Sequence, residues 1–172
     1  LAKNSKLVEV GVWKGDFSKQ IWNISSPNLL VLVDSWTFDE KVRGCAPQVN
    51  GEEPLNQNFF DQAKKDTYSK FEKFKNVHIL DLNSLDASSN YEDNFFDYIY
   101  IDAEHTYQAV SSDLKAWYPK LKKNGTLFGD DYYWREADDT LSLHKAYQEF
   151  IIKNHIKKWC VFKSQITIIK DA

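Results

Sequence analysis

Two acidic stretches carry the residues best suited to chemistry. Asp102, Glu104 and His105 stand close together in "YIYIDAEHTY", and Asp130 and Asp131 are adjacent in "GTLFGDDYYW". Neighbouring carboxylates repel, so holding both ionised near a strand end costs free energy unless positive charge sits there. The pair is therefore either a solvated turn or half of a cation site. Asp102, Asp130 and Asp131 together would form a hard oxygen site, suited to magnesium, calcium or manganese rather than zinc. A hydroxyl held at such a cation loses its proton more easily, as metal-bound water does, and His105 is the proton acceptor best placed to take it. The bland alternative for His105 is a cap on the helix that follows it.

A second group lies near the N-terminus. Gly11 and Gly15 bracket a turn in "VEVGVWKGDFS", where backbone without a Cβ can bend tightly and approach a ligand. Asp34 follows Gly11 by 23 residues, a spacing that suits an acid accepting hydrogen bonds from ribose hydroxyls. Trp13 occupies the place of the second glycine in the dehydrogenase fingerprint, which argues against a pyrophosphate clamp. The aromatics Trp36, Tyr132, Tyr133 and Trp134 flank the same strand ends, as walls for a flat or sugar-like acceptor or as ordinary core. Arg43, one of only two arginines, lies in the long loop 35–54, a candidate lid over the acceptor.

Such scattered residues meet only if the chain folds so that strand ends converge. "KLVEVGV" (6–12), "NLLVLVD" (28–34), "NVHIL" (76–80) and "FFDYIYID" (95–102) read as strands, mostly continuous apolar runs of the kind buried on both faces. "TLFGD" (126–130) is the next strand, and "KKWCVF" with "QITIIK" forms a terminal hairpin turning at Lys163-Ser164. Helical spacing appears in 16–24, 56–75, 106–121 and 138–155, with one helical turn in the connector after the third strand; "KKNG" is a helix stop before the fifth. Alternation of this kind predicts an α/β, Rossmann-like, doubly wound sheet of seven strands, mostly parallel, with one antiparallel strand from the C-terminal hairpin. Ligands in such sheets bind beyond the carboxyl ends of the strands, and every candidate residue falls there.

Length and charge narrow the classes further. The chain has 172 residues, enough for one domain, 1–172, with a sizeable core; it begins without Met, as a domain excised from a longer polypeptide would. A net charge of −3 leaves no basic footprint for nucleic acid. No apolar run reaches transmembrane length, so no membrane partner is expected. Cys45 and Cys160 are far apart and form neither a disulfide framework nor a zinc motif, which predicts a reducing, cytoplasmic setting.

"VEVGVWKGDFS" resembles the first motif of class I S-adenosylmethionine-dependent methyltransferases. "FFDYIYIDAEHTYQAVSSDLKAWYPKLKKNGTLFGDDYY" resembles the second half of the macrocin-type sugar O-methyltransferase group, and the layout is similar to the catechol O-methyltransferase site. The resemblance implies S-adenosyl-L-methionine as cofactor, with Glu9, Gly11 and Gly15 framing its amino acid portion. It further implies that Asp34 holds the ribose, that Leu82 and Ser84 border the adenine, and that Asp102 also lies at the cofactor. Asp102, Asp130 and Asp131 would hold Mg2+ (or Mn2+ or Ca2+), His105 would be the general base, and the acceptor would be a small-molecule or glycan hydroxyl. Members of the group usually carry more chain before the first strand, so a homodimer or a fused partner domain would complete the acceptor pocket. Two other classes stay open: an NAD-dependent oxidoreductase, which would also use Asp34, and an inactive methyltransferase-like binding module.

Overall fold

β1 (Lys6–Val10) and β2 (Leu29–Asp34) are nearly all buried, because helices cover both of their faces. The computed structural model describes residues 1–39, 56–135 and 140–171. Arg43, Cys45 and most of the loop read as a lid lie outside the described residues. Around the first two strands stand β3 (Val77–Asp81), β4 (Phe96–Ile101), β5 (Leu121–Gly129), β6 (Lys158–Phe162) and β7 (Gln165–Ile169). The helices are α1 (Asp16–Ser25), α2 (Gln57–Phe71), α3 (Ser84–Ser88), α4 (Tyr107–Trp117) and α5 (Ser142–Lys153).

The seven strands form one sheet in the order β3-β2-β1-β4-β5-β7-β6. The first five in that order run parallel, and β7 runs antiparallel to both β5 and β6. One opposed strand is thus contributed by the C-terminal hairpin, as the sequence predicts. The order reverses between β1 and β4, which leaves a crevice at the carboxyl ends of those two strands.

Successive residues of a strand face opposite ways, and the core divides accordingly. Val8 and Val10 of β1 pack with Val110, Leu114 and Trp117 of α4 and with Tyr147 of α5. Leu7 faces the other layer, with Ile21 of α1 and Phe60 and Phe71 of α2. Each fully buried aliphatic side chain contributes about 1.5–3 kcal/mol, so the apolar neighbours in β1 offset the burial of the one acid among them, Glu9.

The "KKNG" stretch departs from its reading as a helix stop. α4 ends at Trp117, a short 3-10 turn follows over Tyr118–Lys120, and Lys122–Gly125 form a bulge inside β5. Leu121 pairs with Phe96, and the register resumes only at Tyr98 with Thr126. Asn124, at φ 61, makes the bend, and Lys170 at the end of β7 closes it by backbone bonds to Asn124 and Gly125. Among the described residues, no helix is long and apolar enough to cross a membrane.

Candidate active site

A cavity of about 920 Å3 opens at the carboxyl ends of β1, β2 and β4, a size that suits a cofactor-sized ligand. Glu9, Gly11, Asp34, Leu82, Ser84, Asp102 and His105 all line it. The sheet therefore brings together most of the residues singled out from the sequence, although they are spread over nearly a hundred positions.

Gly11 sits at φ +90, and a Cβ there would stand 1.9 Å from the carbonyl oxygen of Asp102. Only glycine lets the turn after β1 pass so close to the end of β4. Gly15 (φ 71) is the N-cap of α1 and is not among the residues lining the cavity; Phe71 and Thr67 of α2 stand about its would-be Cβ.

Trp13 adopts φ 54 without being glycine, and the structure supplies the restraint. Asp34 Oδ2 accepts the backbone N–H groups of Val12 and Trp13, each at 2.9 Å, and Oδ1 accepts that of Trp36 at 2.8 Å. The Trp13 carbonyl accepts Trp36 Nε1 at 2.8 Å and Thr67 Oγ1 at 3.0 Å. Asp34 thus holds the turn in shape in addition to lining the cavity. Trp36 is 2 % exposed and belongs to the core, which corrects its reading as an acceptor wall.

Glu9 is buried, and its Oε2 has no hydrogen-bond partner. Burial pushes its carboxyl up to about 8; the Ser18 hydroxyl beside it opposes the shift, while the charges of Asp102 and Asp34 add to it.

The acidic tips of β4 and β5 meet as the sequence suggests, but with a different division of labour. Asp102, His105 and Asp131 bring one ligand atom each within 4.8 Å of one another, all half-buried. His105 Nε2 lies 3.1 Å from Asp131 Oδ2 and 3.6 Å from Asp102 Oδ1, and it is a buried atom without a hydrogen bond of good geometry. Asp130 is not in this group. Its Oδ1 accepts the N–H of Asp131 at 2.9 Å, and its Oδ2 accepts the Tyr100 hydroxyl at 2.7 Å, with Gln165 Nε2 at 3.5 Å. Asp131 takes φ 50, and this left-handed turn lets two adjacent acids serve different partners. Burial raises the Asp131 carboxyl; the nearby His105 works against that shift, and Asp130 and Asp102 reinforce it.

The capping alternative for His105 is not what the structure contains. Thr106 is the N-cap of α4, and its hydroxyl oxygen accepts the Ala109 N–H. Glu104 accepts the Thr106 hydroxyl at 2.8 Å. The Trp134 ring stacks on His105, with centroids 4.9 Å apart and planes at 27°, while Trp134 and Tyr133 remain exposed. Tyr132 is 2 % exposed, and its hydroxyl accepts Gln148 Nε2, so it is core rather than an acceptor wall.

A buried acid of the cavity escaped the sequence reading. Asp113 of α4 is buried at 5 % exposure, and its Oδ1 accepts the Ser84 hydroxyl at 2.5 Å. Burial pushes its carboxyl up to about 6, against the Ser84 hydrogen bond. The signal was present: Asp113 falls three residues after Val110 and four before Trp117, on the buried stripe of the helix.

A family model described as a methyltransferase domain matches residues 8–132. No curated protein matches the chain. Among solved structures, a Corynebacterium glutamicum protein is 15% identical, with a TM-score of 0.68 over 98% of this chain and 74% of that one. A Staphylococcus aureus protein described as a candidate caffeoyl-CoA O-methyltransferase is 18% identical, with a TM-score of 0.64 over 97% of this chain and 77% of that one. A candidate methyltransferase of Streptococcus mutans, solved with SAH, is 13% identical, with a TM-score of 0.66 over 99% of this chain and 90% of that one. At such identities the structural likeness speaks for the fold.

Proposed function

The chain belongs to the methyltransferase domain family, in the class I S-adenosylmethionine-dependent group, and from that premise we propose that it methylates a hydroxyl of a small molecule, a sugar or glycan by the resemblance of its motifs. The observation that carries this reading is the meeting of Asp102 and His105, which line the cavity, with Asp131. S-adenosylmethionine bound there supplies an electrophilic methyl group on a sulfonium.

The chain's own residues hold, orient and deprotonate. Asp34 and Asp102 line the cavity with carboxylates, which favours a ligand bearing positive charge. The backbone of the Gly11 turn allows close approach to the cofactor's amino acid portion, and Asp34 keeps that turn in shape. His105 takes the proton of the acceptor hydroxyl, with carboxylate oxygens of Asp131 and Asp102 3.1 and 3.6 Å from its Nε2. Trp134 holds the imidazole plane by stacking. Alignment of acceptor oxygen and methyl group then supplies much of the rate.

The two carboxylates of this group, Asp102 and Asp131, also fit a hard divalent cation such as Mg2+ or Mn2+. Asp102 and Asp131 would hold the cation, which would make the acceptor hydroxyl more acidic. Asp130 would have to leave Tyr100 and Gln165 to join them. His105 cannot both ligate a cation and accept the proton through the same nitrogen.

Calorimetry with S-adenosylhomocysteine, and separately with Mn2+, tests these roles, alongside transfer of labelled methyl to a panel of sugar hydroxyls. Wild type is expected to bind both. Asp131→Ala should lose Mn2+ but keep the cofactor product, and His105→Ala should lose transfer while keeping cofactor affinity. Unchanged Mn2+ binding in Asp131→Ala would remove the metal from the scheme, and comparable transfer by His105→Ala would place the base elsewhere.

A further inference from the structure

The hydrogen bonds behind the acidic pair run in one direction. The Nε2 group of Gln165 can only donate, so the Tyr100 hydroxyl accepts from it at 3.2 Å. The single Tyr100 proton goes to Asp130 Oδ2 at 2.7 Å, where Gln165 Nε2 also points at 3.5 Å. The other oxygen, Asp130 Oδ1, accepts the backbone N–H of Asp131 at 2.9 Å. Both Asp130 oxygens therefore face donors, which favour the carboxylate as a positive charge would.

Rigid elements carry these donors. Tyr100 lies on β4 in the middle of the sheet, 6 % exposed, with the Phe17 ring of α1 against it at 4.6 Å. Gln165 opens β7, the antiparallel neighbour of β5. Asp131 takes φ 50, a conformation that a residue other than glycine holds when its surroundings impose it. Its N–H is tied to the Asp130 carboxylate, and its carbonyl accepts the Trp134 N–H at 2.7 Å. From this turn Asp131 Oδ2 reaches to 3.1 Å from His105 Nε2.

We propose that Asp130 is a positioning residue and not a metal ligand: Gln165 and Tyr100 fix its carboxylate, and the carboxylate fixes Asp131 against His105. This rests on the reading of Asp102, His105 and Asp131 as the reacting group, and it replaces the ligand role that the motif resemblance implied for Asp130. The two roles predict opposite signs. If Asp130 braces Asp131, cutting the Tyr100 bond loosens Asp131 and weakens a cation held there. If Asp130 is a ligand, the same cut frees it from a competitor and strengthens the cation.

The test is calorimetry with Mn2+ and with S-adenosylhomocysteine on wild type, Tyr100→Phe, Asp130→Ala and Asp130→Asn. Tyr100→Phe should weaken Mn2+ by about tenfold, the loss typical of groups that orient a metal ligand, and Asp130→Ala by at least as much. Asp130→Asn keeps an oxygen for the Asp131 N–H and should recover Mn2+ affinity to within about threefold of wild type. Affinity for S-adenosylhomocysteine, unchanged within about twofold, shows that each variant is folded. Gln165→Leu, at an exposed position, should shift Mn2+ affinity in the same direction should Tyr100→Phe fail to fold. Tighter Mn2+ binding by Tyr100→Phe, or Asp130→Asn as weak as Asp130→Ala, would overturn the assignment. Wild type that binds S-adenosylhomocysteine but no Mn2+ would remove the metal reading alone. Tyr100→Phe should then lower kcat for methyl transfer about tenfold with the cofactor KM unchanged, and an unchanged kcat would overturn the positioning role.

Discussion

Replacing Glu9 by Gln should change how stability depends on pH more than it changes stability itself. Glu9 is 1 % exposed, and burial raises its carboxyl from an ordinary 4.5 to about 8. Between those values the folded chain keeps a proton that the unfolded chain has lost. Stability held at low pH is therefore lost as pH rises through that window, at 1.36 kcal/mol per pH unit. From pH 6 to pH 9, ionisation of Glu9 should remove about 3 kcal/mol from the wild type, and Gln, nearly isosteric with the protonated acid, should lose none of it. Asp113 and Asp131, whose carboxyls are also raised, are present in both proteins and cancel in the difference. Urea unfolding of the ligand-free proteins at pH 6, 7, 8 and 9 measures the effect. The gap between the two should widen by about 3 kcal/mol from pH 6 to pH 9, which corresponds to about 6–12 °C in the difference between their Tm values. Parallel curves over the whole range would show that Glu9 is already ionised in the fold at pH 6, and that its burial does not govern its charge.

Other expectations follow from the same geometry. Gly11→Ala places a Cβ 1.9 Å from the Asp102 carbonyl oxygen and 2.8 Å from Ala103 Cα, both backbone; it should cost more than about 4 kcal/mol or prevent folding, checked by near-UV circular dichroism and thermal melting. The two candidate tryptophans should separate: Trp36→Ala, in the core, should lose about 3–5 kcal/mol of stability, whereas half-exposed Trp134→Ala should stay within about 0.5 kcal/mol yet lower methyl transfer by loosening His105.

What could be read from the sequence depended on whether the determining contact was local. β1 and β2 were legible because a strand covered on both faces has to be apolar throughout, and Glu9 stood out within that run. The turn after β1 was legible because a glycine marks by itself a backbone that bends at positive φ, although its contact with the Asp102 backbone was not. The split between Asp130 and Asp131 was not, since it depends on a left-handed residue and on partners 30 and 35 positions away, Tyr100 and Gln165. For Trp36 and Tyr132 the sequence left wall and core both open, for a similar reason. An aromatic next to a strand end is equally compatible with a wall and with the core, and only the packing of Trp36 against Trp13 and of Tyr132 against Gln148 decides. The bulge in β5 is closed by Lys170, so nothing near "KKNG" announces it.

The hairpin beside β5 has a consequence for the order of assembly. Asp130 is held by Gln165, and the backbone of Tyr132 donates to the Ser164 carbonyl. The parallel part of the sheet, from β3 to β5, is complete in the chain by residue 129. During synthesis, which delivers the N-terminal part first, the acidic tips would already be side by side while their anchors were still inside the ribosome. A nascent chain halted before Ser164 would carry the acids without the geometry, so competence for chemistry should arrive last, in a single late step.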